Sequence, residues 1–328
     1  MCKPRKLVRL FALSLTLCAC AISCLAQTSP ARPEVWMGPP SCDQGRCFRE
    51  LFQKPDEWKE TRSSIDVVFY ADHNLKRQFT DDELRTWFGQ LNGWTLKFGM
   101  EVGAIKPWGQ TGEACFKAEK PIWDRLEQLG ANLYAIAMDE PLLCCRMHIH
   151  KPDDYAVQET ANYIALVRRH FPQMKIGDIE TYPSIPLADH VWWLDALQKR
   201  LAEMSVRGLD FYRLDVNWAN FIVQDRGSWG EVRQIELACR RRKLPFSLIY
   251  WASDLPELER KGIADESSWY LSILHQGTAY AMVDGRPDQL VIESWLQSGN
   301  PKCLPETESW TFTRSALDLT RLLMRARR

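Results

Sequence analysis

Residues 134–141 read YAIAMDEP, an apolar run that stops at two adjacent acids and a proline. Short apolar runs with polar endings recur along the chain: EVWMGPP (34–40), IDVVFYADH (65–73), LKFGMEVGAI (96–105), LYAIAMDEP (133–141), MKIGDIETYP (174–183), LDFYRLDVNW (209–218), PFSLIYWASD (245–254) and QLVIESWL (289–296). Helix-like stretches at 47–61, 81–93, 121–130, 153–171, 190–205, 228–243 and 266–280 separate them. Strands alternating with helices at this spacing imply βαβ units and a parallel sheet, and eight of them imply closure into an α/β (β/α)8 TIM barrel spanning 33–328. An open, doubly wound sheet is the alternative. It would bring a glycine-rich phosphate turn after the first strand, and GPPSCDQG (38–45) is a poor one.

The first residues, MCKPRKLVRLFALSLTLCACAISCLAQTS, begin basic, run through an uncharged stretch too short for a membrane span, and reach small residues before Gln27. This is the pattern of a secretory signal peptide over 1–26. Lipid attachment at Cys18, Cys20 or Cys24 is the rival outcome, although none has the usual residues before it. No later stretch is apolar enough for a membrane helix, so a secreted or periplasmic protein, with a lipoprotein as the variant, is expected.

Forty-two basic residues balance 42 acidic ones. That balance argues against nucleic acid as a partner, because phosphate recognition needs a surplus of basic side chains on one face. The run RRRK (240–243) falls at the end of a helical stretch, where it offsets the helix dipole. Seven of the 11 cysteines lie beyond the leader, an odd number, with Cys239 the candidate free thiol in a helix. Disulfides are expected for the others, with Cys42 and Cys47 as a loop staple and Cys115 meeting Cys144 or Cys145. No Cys and His cluster supports a zinc site.

In a barrel, functional side chains come from the C-terminal ends of the strands. Here those ends carry Asp72 and His73, Glu101, Asp139 and Glu140, Asp178 and Glu180, Asp215 and Asn217, Asp254, and Glu293. Helix capping is a sufficient reason for Asp72 or Asp254, but Glu is a poor N-cap. Residues two apart share a face, so Arg213, Asp215 and Asn217 are expected to look into the lumen, with Asp178 and Glu180 paired likewise, and Glu293 with Trp295. Arg213 is the natural counter-ion for these carboxylates. A cleft lined by carboxylates and aromatics suits a sugar, since glycosidic cleavage needs one protonated carboxyl and one ionised one. Trp36, Trp108, Trp218, Trp251 and Trp295 fall near the proposed strand ends, and Tyr182 joins them as a candidate sugar contact.

MDEP at the end of the fourth strand resembles the Asn-Glu-Pro ending of the same strand in the large clan of retaining (β/α)8 glycoside hydrolases, and ESW on the eighth is similar to that clan's sugar-stacking Trp. The resemblance implies Glu140 as acid/base, Asp139 in place of the clan's Asn, and Trp295 as the floor of the cleaved sugar's subsite. It implies a nucleophile at the end of the seventh strand, where YWASD offers Asp254 instead of Glu; Glu180, Asp215 and Glu293 are the other choices. Adjacent acids raise one another's pKa, which would help Glu140 keep a proton. A carbohydrate substrate and no cofactor follow from this reading. One rival is a divalent-metal-dependent barrel, with Glu140, Glu180, Asp215 and Glu293 holding Mg²⁺ or Mn²⁺ through oxygen. The other is a non-catalytic carbohydrate-binding barrel.

Overall fold

Strands whose two faces are both apolar cannot sit at a solvent surface, and in the computed structural model all eight close on one another. The structure describes residues 32–262, 265–296 and 302–326; the expected leader lies outside them. In chain order the elements are β1 Glu34–Gly38, α1 Cys42–Gln53, α2 Lys59–Ser64, β2 Val67–Ala71, α3 Asp72–Gln78, α4 Asp81–Gly93, β3 Lys97–Val102, α5 Gly112–Gln128, β4 Leu133–Asp139 and α6 Pro141–Cys144. There follow α7 Asp153–His170, β5 Lys175–Tyr182, α8 Leu187–Glu203, β6 Phe211–Val216, α9 Ala219–Val223, α10 Trp229–Arg241, β7 Phe246–Ser253, α11 Pro256–Arg260, α12 Glu266–Met282, β8 Gln289–Trp295 and α13 Phe312–Ala326. The strands form a closed parallel barrel in sequence order, β8 returning to β1. This is a (β/α)8 barrel. Among the described residues no helix is long and apolar enough to cross a membrane.

The lumen is filled where glycines face aromatic rings. A Cβ on Gly177 of β5 would stand 1.8 Å from Phe211, one on Gly99 of β3 would be 2.6 Å from Trp36, and one on Gly38 of β1 would be 2.5 Å from Phe69. The three rings surround the Arg213 guanidinium at 4.4 Å (Trp36), 5.1 Å (Phe211) and 5.5 Å (Phe69). Cation–π attraction of this kind holds a desolvated charge that has few hydrogen bonds; Nε donates to Ser247 Oγ at 3.1 Å. Below this layer Glu34 accepts from Lys97, Tyr134 and Trp36. The N-terminal half of the barrel is thus a packed core.

The helices depart from expectation at several points: the stretch 47–61 is divided between α1 and α2, and the short helices α3, α6, α9 and α11 were not foreseen. Two further differences bear on packing. The helix expected to start at Pro121 begins at Gly112, capped by Thr111, whose hydroxyl accepts from Ala114 N. Pro121 therefore lies inside it, leaving the carbonyl of exposed Lys117 to solvent. The close approach of α5 to α7 explains Gly112, since a Cβ there would lie 2.2 Å from the Glu159 carbonyl. The sequence reading also lacked α13, the helix that completes the outer ring. It packs on α12 at Gly277, where a Cβ would stand 2.5 Å from Leu319.

The expected disulfides are corrected. Cys115, Cys144, Cys145, Cys239 and Cys303 are buried thiols, so Cys115 is bonded to neither Cys144 nor Cys145. Burial among apolar side chains is enough to account for them. The expected Cys42–Cys47 staple depends on the Cys42 side chain, which lies outside the described ones.

Candidate active site at the barrel mouth

Directly paired residues on neighbouring parallel strands point to the same side. Near the C-terminal ends, Glu101 pairs with Ala137, Asp139 with Ile179, Thr181 with Asp215, and Trp251 with Glu293. Glu101, Asp139, Asp215 and Glu293 therefore rim the upper lumen, and all four are partly exposed. Glu140 is the next residue after β4 and adopts a left-handed conformation (φ 50, ψ 51). Its N–H still donates to the Ile179 carbonyl at 2.9 Å, so the strand turns sharply without losing its last bond.

Five carboxylates at one mouth cannot all ionise cheaply. Lys106, from the loop after β3, holds Asp139 in a 2.6 Å ion pair. Burial, followed by the charge of Asp139, pushes Glu140 up to about 7. Burial also raises Glu293 to about 7, against the opposing pull of a hydrogen bond with Trp295 and of Arg213. Asp215 is driven well above the usual carboxylate range by burial and then by Glu140 and Glu293, and Glu101 by burial, Glu293 and Asp139. Among the described residues, buried atoms with no hydrogen-bond partner occur near the C-terminal ends of β6 and β8: Asp215 Oδ1, Asn217 Oδ1, Glu293 Oε2 and Trp218 Nε1. Such atoms are normally satisfied by a ligand or water.

Of the expected sugar contacts, Trp295 is half-buried at the mouth, its ring 4.9 Å from that of Trp251. Trp251 itself is buried, with its indole N–H on the Val216 carbonyl at 2.7 Å. Trp108 is 59% exposed. It stands at the edge of a cavity of about 540 Å³ that Glu101, Lys106 and Asp139 also line.

Other placements depart from expectation. Trp36 lies in the middle of β1, fully buried under Arg213, rather than at a strand end. Arg213 is on the lumen side as expected, one layer below the mouth. Asp178 and Glu180 do share a face, but it is the outer one. Asp178 accepts from the Trp193 indole on α8 at 2.6 Å, and Glu180 accepts from Leu142 N at 2.6 Å and Leu143 N at 3.2 Å. The reason is Gly177: the lumen side of β5 must stay small there to admit Phe211. Glu180 is therefore a cap on α6, holding the turn that carries Glu140. Tyr182 is buried, and its hydroxyl bonds Glu231 and accepts from Ser228 N at 3.0 Å, anchoring the start of α10. Asp254 follows the last residue of β7; Ser253 is the one paired with Trp295.

With Glu180 turned away, the four oxygen ligands of the metal-dependent reading do not converge. Among the described residues no group of three His, Cys, Asp or Glu is arranged to hold a metal ion. Sequence reasoning noticed Glu101 but did not choose it, and it missed Lys106. The signal for both was position alone, at and just after the end of β3.

No family model matches the chain, and no curated protein matches it in sequence. Solved structures do share its fold. A fungal β-1,4-galactanase is 9% identical with a TM-score of 0.50, over 80% of this chain and 89% of that one. A thermostable mutant of a xylanase from Cellvibrio japonicus is 11% identical with a TM-score of 0.50, over 81% and 86%. The carboxyl transferase domain of Rhizobium etli pyruvate carboxylase also reaches 0.50 at 10% identity, covering 90% of this chain and 47% of that chain. Glycoside hydrolases are thus among its structural neighbours, beside a barrel of different chemistry, and the likeness is one of fold.

Proposed function

We propose that this chain is an exported glycoside hydrolase, with Glu140 as the general acid and Asp215 or Glu293 as the second carboxylate. The observation that carries the reading is Glu140 itself: half-buried at the end of β4, raised to about 7 by burial and Asp139, and near enough for its charge to act on Asp215, whose Oδ1 has no hydrogen-bond partner among the described residues. A carboxyl group poised near neutrality can hold a proton for a leaving oxygen, and a second, ionised one can attack or activate water. Burial raises both candidates, so the second carboxylate is the one that ionises first: Glu293 is raised to about 7, whereas Asp215 is driven well above the usual carboxylate range by burial and then by Glu140 and Glu293. Trp295 would floor the subsite, with Asn217 binding hydroxyl groups and Arg213 supplying positive charge from below.

The test is reducing-end release from β-1,4-galactan, xylan and a wider glycan panel. The expected result is turnover by the full chain, lost by roughly 10²–10⁴-fold in Glu140→Gln. The anomer first released reports the carboxylate separation, about 5 Å for retention and roughly 6.5 to 9.5 Å for inversion. A non-catalytic glycan-binding barrel is the second reading, favoured by Ser253 rather than a carboxylate pairing with Trp295 on β7. Glycan binding without turnover, unchanged in Glu140→Gln, would establish it instead.

A further inference from the structure

Beside the mouth, the ends of β2, β3 and β4 enclose the cavity of about 540 Å³. Its volume is that of a small-molecule site. Glu101, Lys106 and Asp139 belong both to it and to the mouth, so the two spaces are continuous. The opposite wall is α3, which presents Lys76 and Arg77. Both are exposed, and among the described residues neither forms an ion pair, whereas Lys106 is held by Asp139.

Of the acids in the same wall, Asp72 feels the charge of Lys76, although no ion pair joins them among the described residues. Asp72 turns an oxygen to the Trp123 indole N–H at 3.2 Å, and Glu119 accepts from Gly103 N at 2.6 Å and from the Tyr163 hydroxyl. Burial pushes Glu119 up to about 8, so at neutral pH it contributes little negative charge. His73 registers the resulting field: burial and then Arg77 hold its ring below the ordinary histidine range. At the rim, Trp108 rests its ring edge on Gly103, where a Cβ would lie 2.9 Å from Cζ2. This exposed indole beside two unpaired cations supplies both an apolar platform and an anion grip.

We propose that this cavity is a subsite for an anionic sugar residue, carrying a carboxylate or a sulfate ester held by Lys76 and Arg77, next to the cleavage site. The proposal rests on the carbohydrate reading of the barrel and narrows it to charged glycans.

Calorimetric titration of the full chain with oligogalacturonate (carboxylate), carrageenan oligosaccharides (sulfate ester), and neutral galactan and xylan oligosaccharides tests it. At least one anionic ligand is expected to bind about tenfold more tightly than the neutral ones, and to lose that advantage as salt is raised to about 0.5 M. Which anionic ligand does so identifies the acidic group. Lys76→Gln with Arg77→Gln is expected to weaken anionic binding about five- to tenfold and leave neutral binding unchanged. Equal affinity for neutral and anionic ligands, or anionic binding indifferent to both salt and the double substitution, overturns the proposal. Binding is read without turnover. A chain that binds charged glycans through Lys76 and Arg77 but never cleaves them would defeat the glycosidase reading and leave the subsite standing.

Discussion

Glu140 and Glu180 sit at the ends of adjacent strands, and burial raises the pKa of both. Their surroundings differ. Glu180 is fully buried and gives its oxygens to two backbone N–H groups at the start of α6, while Glu140, on the turn those bonds secure, is half-buried and opens on the mouth. A raised pKa alone therefore does not mark a catalytic group; a raised pKa with a path to a ligand does. One glutamate positions, and the other is positioned.

The largest effect expected from this contrast is in turnover. Glu140→Gln should reduce it by roughly 10²–10⁴-fold with an unfolding midpoint no lower than that of the parent, measured by reducing-end assay and urea titration. The converse substitution, Glu180→Leu, leaves one buried and one part-buried N–H group unpaired and should cost about 2–3 kcal/mol of stability. If denaturant unfolding shows Glu180→Leu to be as stable as Glu140→Gln, the assigned roles are wrong.

A smaller effect follows from linkage. The folded-state pKa of Glu140, about 7, lies above the ordinary glutamate value of 4.5. Below about 4.5 both states are protonated and no penalty exists; between there and about 7 the unfolded chain loses its proton first, so stability falls as pH rises. Allowing for its partial exposure, Glu140 should lower stability by about 1–2 kcal/mol from pH 4.5 to pH 8, and Glu140→Gln should flatten that slope in denaturant titrations at the two pH values. Hydrolysis should decline on the alkaline side of about 7, where the acid loses its proton. The smallest expected change is at the rim. Trp108→Ala should alter stability by no more than about 0.5 kcal/mol while weakening glycan binding, and a calorimetric titration showing full affinity would remove Trp108 from the site.

The barrel was legible because each strand is an apolar run closed by polar residues, a pattern that survives without tertiary knowledge. Helix α13 was not, since it follows the last strand and no further strand marks it off. The start of α5 was misplaced because Pro121 is a stronger local signal than Thr111. At the site, strand-end position picked out Asp139, Glu140, Asp215 and Glu293, which the structure brings to one mouth. Alternation paired Asp178 with Glu180 correctly but could not say which side of the sheet they face.

By itself the sequence determined the eight strands and the helices that separate them, and with those the delivery of YAIAMDEP to a barrel rim. Those follow from local periodicity and from the need to bury apolar faces. Only the tertiary structure decided which carboxylates share the mouth, that Trp36 belongs to the core with Arg213, and that Lys106 pairs with Asp139. Such choices depend on which side chain fills the lumen at each level. On β5 that is settled by the Phe211 ring entering the space left by Gly177, an interaction between residues on different strands that no local pattern records.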